Sequence, residues 1–147
     1  QSKAEKINVV ASGHGGICFI DLLNNYYDEL KSRVTGVVIA HSYHTKNMVD
    51  EDKHTWVFNH VVNWAESEKP KGSTIMDQTL GCVSFSAEEP LTEKVIWKCS
   101  KEIMKFVGIK FGYLVPEEDS DISDDDDNLE EDERAELAEH LDIVSIG

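Results

Sequence analysis

Apolar and polar positions recur with two different periods along this chain, and the changeovers mark its elements. Ile7–Ala11 is a short apolar run that ends in Ser12-Gly13-His14-Gly15-Gly16, the pattern of a buried strand entering a tight turn. From Ile17 the apolar positions Ile17, Ile20, Leu23, Tyr27 and Leu30 recur at helical spacing, which predicts a helix over 16–31. Val34–Ala40 is continuous and largely β-branched, as in a strand covered on both faces. Asp50 opens a second predicted helix, in which Val57, Val61 and Trp64 share one face. Lys69-Pro70-Lys71-Gly72-Ser73 reads as a loop, and Cys82–Ser86 as a third strand. Thr92 is placed to cap a third helix reaching about Val107, with Val95, Cys99, Ile103 and Phe106 inward and Gly108 closing it. The order β-α-β-α-β-α predicts an α/β fold, a three-layer sandwich with a parallel sheet between helices.

Charge divides the chain in two. The net charge of -15 over 147 residues belongs almost wholly to one end. Residues 1–116 carry 14 acidic and 13 basic side chains, whereas residues 117–147 carry 15 acidic and one basic. The expected organisation is therefore one near-neutral globular domain over 1–115 and an acidic, largely disordered tail over 116–147. Leu129, Leu137, Leu141 and Ile143 leave room in the tail for a short helix over 129–143. Ser120 and Ser123 precede acidic residues, as acid-directed kinases prefer. Cys18, Cys82 and Cys99 are odd in number and lie among apolar neighbours, which predicts buried, reduced thiols of an intracellular protein. No apolar run reaches membrane-spanning length, and Gln1-Ser2-Lys3-Ala4-Glu5-Lys6 does not read as a signal peptide. The first residue is not Met, which fits a fragment of a longer protein.

The turn after the first strand carries the candidate chemistry. A nucleophile elbow is G-x-S-x-G, with the serine on a strained strand-to-helix bend and small residues at its flanks. The pentad here is Ala11-Ser12-Gly13-His14-Gly15, so the flanks fit and the central position, Gly13, has no side chain. Ser12 lies one residue before the apex, and alternation along the strand turns its hydroxyl away from the site. Cys18 falls inside the following helix and reads as packing.

The elbow with its helix, "GVVIAHSYH" (36–44), "NWAESEKP" (63–70), "CVSFSAEEPLTEKVIW" (82–97) and "IMKF" (103–106) together resemble the Argonaute-binding protein 2 domain family. The resemblance runs from about Ile7 to Phe111. It implies an α/β-hydrolase-like fold and a family that includes cotranscriptional regulators and a silencing factor. Members with the full pattern read A-H-S-Y-G at the elbow, T-D-S-V-H after the next strand and S-A-G-x-x-x-H-E-L-T near the end. Carried over, their serine falls on Gly13, their aspartate on His41 and their histidine on or beside Glu89, while Ser42, His44, Leu91 and Thr92 keep the frame. The resemblance thus implies a degenerate triad and no catalytic residue, because a glycine cannot form an acyl-enzyme and no base remains to activate one. It also implies that this chain is the C-terminal half of the fold, beginning at the strand that enters the elbow. An open sheet edge would follow, covered by a partner or by a missing N-terminal segment.

Other constellations are weaker. His14, His41 and Glu89 would converge near the old active site, as a zinc site or as a hydrogen-bonded plug; no spacing completes a tetrahedron, and no metal or cofactor is expected. Trp56, Trp64 and Trp97 share helical positions with apolar neighbours and are expected in the core. Neither a phosphate-binding glycine loop nor a basic-aromatic stripe is visible, so neither nucleotide nor direct nucleic-acid binding is expected. The expected function is a non-catalytic protein-interaction scaffold in an Argonaute-linked silencing or cotranscriptional complex, with Argonaute, silencing or chromatin factors as partners and a mainly nuclear location. The rivals are a serine hydrolase using Ser12 or an unusual His/Glu site, and an acidic-tail chaperone of basic proteins.

Overall fold

The computed structural model describes residues 3–116. The acidic tail from residue 117 on, with the expected helix over 129–143, lies outside the described residues. The elements run β1 (Ile7–Gly13), α1 (His14–Arg33), β2 (Val34–Ser42), α2 (His54–His60), β3 (Val61–Ala65), β4 (Thr74–Ile75), β5 (Val83–Ser86), α3 (Val95–Lys98) and α4 (Ser100–Phe111). One five-stranded sheet has the order β1-β2-β3-β5-β4. β1, β2, β3 and β5 are parallel neighbours, and the two-residue β4 joins antiparallel at the far edge. The chain is an α/β protein with a mostly parallel sheet.

Two apolar layers follow from the alternation along β2. Val37 and Ile39 point to one side, into a core with Phe19, Ile20 and Leu23 of α1 and Trp56 and Val57 of α2. Val38 and Ala40 point to the other, against Val95 of α3, Cys99 between the two helices, and Ile103 of α4. A strand buried on both faces needs apolar residues at every position, which is why β2 shows no polar alternation. Each fully buried Leu or Ile of these layers contributes roughly 1.5–3 kcal/mol.

The predicted second helix is corrected. It ends at His60, and Val61-Val62-Asn63-Trp64-Ala65 is a strand paired with both β2 and β5. Val61 joins the α1/α2 core while Val62 and Trp64 join the opposite one, a period of two that a helix cannot produce. No glycine or proline separates α2 from β3, so the boundary has no breaker. The third helix is corrected at both ends. Thr92 does not cap it with its side chain; the helix bends at Cys99, and closure comes at Gly112 with φ +81, not at Gly108. Cys82 and Cys99 are buried as expected, but Cys18 is exposed on the outer side of α1. Trp56 and Trp64 are core residues, each 8 % exposed, whereas Trp97 stands 81 % exposed.

Candidate functional site

β1 passes into α1 with no loop, so the chain turns within one residue. Gly13 takes φ +54 and ψ -118, left-handed backbone that strains any residue with a side chain. The helix start also packs closely. A Cβ on Gly15 would lie 3.2 Å from Ala11 Cβ, and one on Gly16 would lie 2.2 Å from Ser42 Oγ. This tight geometry is what a nucleophile elbow uses to present a side chain at the carboxyl end of a strand. Here the apex presents none.

A ring covers the apex instead. A Cβ on Gly13 would meet Tyr43 Cε2 at 3.3 Å. Tyr43 is flanked by His14, with ring centroids 4.9 Å apart, and by His41, edge-on at 4.7 Å. The sequence places His41 there through a bulge: Ser12 pairs with Ala40 but Gly13 pairs with Ser42, leaving His41 extra on β2 with φ +50. That backbone aims the imidazole at Tyr43 and, beyond the end of β3, at Glu66, with Nδ1 3.4 Å from Oε2. The same Glu66 oxygen accepts a hydrogen bond from Thr92 Oγ1 at 2.5 Å. Both partners sit at the solvent rim, where such a pair adds little stability.

Below the rim lies one hydroxyl–imidazole pair. The Ser42 hydroxyl is hydrogen-bonded to His44 Nδ1, and His44 Nε2 donates to the Leu80 carbonyl at 2.9 Å. A carbonyl only accepts, so Nε2 carries the proton and Nδ1 accepts from Ser42. The imidazole is wholly buried, and burial pushes its pKa below the usual histidine value, offset in part by the Leu80 carbonyl. A base with no exposed atom cannot meet a substrate or a water. Ser42 and His44 therefore tie β2 to the loop before β5, and Asn63 of β3 joins them by accepting from the Ser42 amide at 3.2 Å.

Of the residues expected to converge, His14 and His41 do so, but around Tyr43. Glu89 does not join them. Its carboxylate accepts from the Leu91 amide at 3.0 Å within its own turn, and its carbonyl accepts from Ser67 at 3.2 Å. The carboxylate beside His41 is Glu66, and the expected hydrogen-bonded plug is replaced by packed rings. Among the described residues no three His, Cys, Asp or Glu side chains gather as metal ligands. Ser12 is exposed on β1 and faces away from Gly13 along the strand. Tyr43 was missed because an aromatic two residues past His41 carries no motif; Glu66 was missed with the strand that positions it. A separate cleft of about 450 Å³ lies between α2 and β4–β5, with Phe58, Ile75, Met76 and Cys82 in its wall. Burial pushes the Cys82 thiol up to about 12, so it is no nucleophile.

Fold and site together define a parallel α/β protein whose strand-to-helix elbow carries glycine under an aromatic cover. No helix of the described residues is long and apolar enough to cross a membrane. Residues 1–71 match the Arb2 domain. The chain is similar to the cotranscriptional regulator ARB2A homolog of Gallus gallus, 30% identical over 108 residues, covering 72% of this chain and 26% of that protein. The cotranscriptional regulators ARB2A of Mus musculus and Homo sapiens are 29% and 28% identical over the same length and shares. The chain thus spans about a quarter of the length of the curated relatives it matches. No solved structure matches it.

Proposed function

We propose that this domain is a pseudo-hydrolase: an α/β-hydrolase-like shell that binds proteins and performs no catalysis. The observation that carries the reading is Gly13 at the apex of the elbow, with the Tyr43 ring 3.3 Å from where a nucleophile's Cβ would stand. The family pattern supports it, since the positions of Ser, Asp and His hold Gly13, His41 and Glu89. A covered apex leaves its rim, Tyr43 with His14 and His41, as a contact surface.

The relatives' names place them in cotranscriptional regulation, and the proposed role of this chain is the same kind of nuclear regulatory assembly, linked to Argonaute and small-RNA silencing. In this reading a further polypeptide segment, from a partner or from the same protein, pairs with the outer edge of β1. Val10, 46 % exposed on this edge strand, supports that placement. The test is affinity purification of the tagged native protein with quantitative mass spectrometry. Recovery of an Argonaute or transcription-linked protein, reduced several-fold by Tyr43→Ala in a folded variant, is expected. Loss of every partner on removal of residues 117–147, with no effect of substitutions on the body, would show the acidic-tail chaperone instead.

A further inference from the structure

The outward ridge of α3 and α4 mixes large apolar side chains with lysines. Hydrogen bonds of the α-helical type run through the bend between the two segments. The Cys99 amide donates to Val95 at 3.0 Å and the Ile103 amide to Cys99 at 2.9 Å, so both segments present one continuous face. Val95, Cys99 and Ile103 turn toward the sheet. The opposite line is therefore Lys94, Trp97, Lys101 and Met104, at intervals of three, four and three, with Lys98 along its border. Trp97 is 81 % and Met104 63 % exposed, and the three lysines are exposed as well. The nearest carboxylate on α4, Glu102, is engaged by Lys71 at 2.6 Å. Among the described residues no ion pair holds Lys94, Lys98 or Lys101.

The order of side chains along the ridge selects what can cover it. An anionic membrane would accept Trp97 and Met104, but an interfacial helix keeps its lysines beside an unbroken apolar stripe. Here Lys101 stands between Trp97 and Met104 on the crest itself, and insertion would bury its charge. A nucleic-acid strand would use the lysines and stack one base on Trp97, leaving Met104 with no partner. A second helix with apolar and acidic residues alternating at the same three- and four-residue spacing answers every position. Its carboxylates meet Lys94, Lys98 and Lys101, and its apolar residues meet Trp97 and Met104. The ridge from Lys94 to Met104 is about 15 Å long at 1.5 Å per residue, which matches about three turns of such a helix.

We propose that the Lys94, Trp97, Lys101 and Met104 ridge docks an acidic amphipathic helix of a partner protein. Trp97 is the anchor, because a large flat side chain covered at the centre of a contact carries much of its energy. The lysines around it set the charge the partner must bring and speed its approach, more than they add affinity. The ridge shares no residue with the Tyr43 rim, so either surface can fail without the other.

The experiment titrates the full chain with two synthetic helical peptides that share a Leu/Phe stripe, one flanked by Glu and the other by Lys. Binding is read by anisotropy of the labelled peptide and by tryptophan emission. Trp56 and Trp64 are buried, so a blue shift on binding reports Trp97. Saturable binding of the Glu-flanked peptide is expected, weakened at least ten-fold by Trp97→Ala. The charge-reversed variant, Lys94→Glu with Lys98→Glu and Lys101→Glu, should lose that peptide and gain the Lys-flanked one. All four substitutions lie at exposed positions, and circular dichroism checks that each variant is folded. No saturation by the Glu-flanked peptide at sub-millimolar concentration would overturn the proposal. So would binding that survives both variants, which would place the peptide elsewhere on the chain. A single-stranded oligonucleotide or a phosphatidylserine vesicle bound more tightly than the peptide, through the same three lysines, would make the ridge a nucleic-acid or membrane surface, also against the proposal.

Discussion

Substitution of Gly13 by Ala puts the elbow's geometry to a test of sign. A left-handed backbone costs a residue with a Cβ about 1–3 kcal/mol, because the methyl crowds its own chain. The new Cβ would also lie 3.3 Å from Tyr43 Cε2 and 3.9 Å from Cδ2, tighter than ordinary contact at the nearer atom. Tyr43 is half exposed and can yield, so this adds only a few tenths of a kcal/mol by comparison with overpacking a closed core. Gly13→Ala is therefore expected to destabilise the domain by about 1–3 kcal/mol. For a domain near 100 residues each kcal/mol lowers the melting temperature by roughly 4–8 °C. Guanidinium denaturation of the wild type, Gly13→Ala, Tyr43→Ala and the double variant separates the two contributions. Removal of the Tyr43 ring should restore the contact part and leave the backbone part. On a relaxed backbone the same substitution stabilises by about 0.4–1 kcal/mol through the unfolded state. A neutral or stabilising Gly13→Ala would thus refute the strained elbow.

Other expectations follow from buried groups. The native fold holds His44 and His60 below the usual histidine value, in both cases through burial first. The unfolded chain binds protons there more readily, so stability is present above about pH 6.5 and falls as pH drops toward the lowered native values. The slope is at most about 1.4 kcal/mol per pH unit per histidine, and His44→Gln should flatten melting temperature against pH without abolishing the slope, since His60 remains. Iodoacetamide should modify Cys18 in the native protein and spare Cys82 and Cys99, whose thiols burial pushes up to about 12 and about 11. Native-state modification of Cys99 as fast as Cys18 would contradict the packing of α3 and α4. Gly36→Ala should destabilise by about 1–3 kcal/mol, because its Cβ would lie 2.8 Å from Asn8, Phe106 and Lys110 atoms at once; a change below 0.5 kcal/mol would mean that α4 sits further from β2.

The α/β class was legible because β1, α1, β2 and the inward face of α3–α4 each carry one clear period. The strand β3 was not legible. Val61 and Trp64 continue the helical spacing of Val57 by coincidence, and only pairing with β2 and β5 decides between the two periods. Trp97 misled for a related reason: an apolar residue in a helix reads as core until the face it occupies is known, and lysines surround this one. The elbow could be read at the level of single residues, since Gly13 between small flanks permits only a tight bend. The cover above it could not. It depends on a bulge at His41 that turns Tyr43 over the apex, and a bulge is a property of two strands in register. Glu66 beside His41, in place of Glu89, follows from the end of β3 in the same way.

The proposed lack of a nucleophile is tested most directly by incubating the full chain with a fluorophosphonate serine probe and measuring its intact mass. An unchanged mass is predicted, under conditions that label a known serine hydrolase to completion. A stoichiometric adduct on Ser12, lost in Ser12→Ala, would contradict it and return the elbow to the hydrolases.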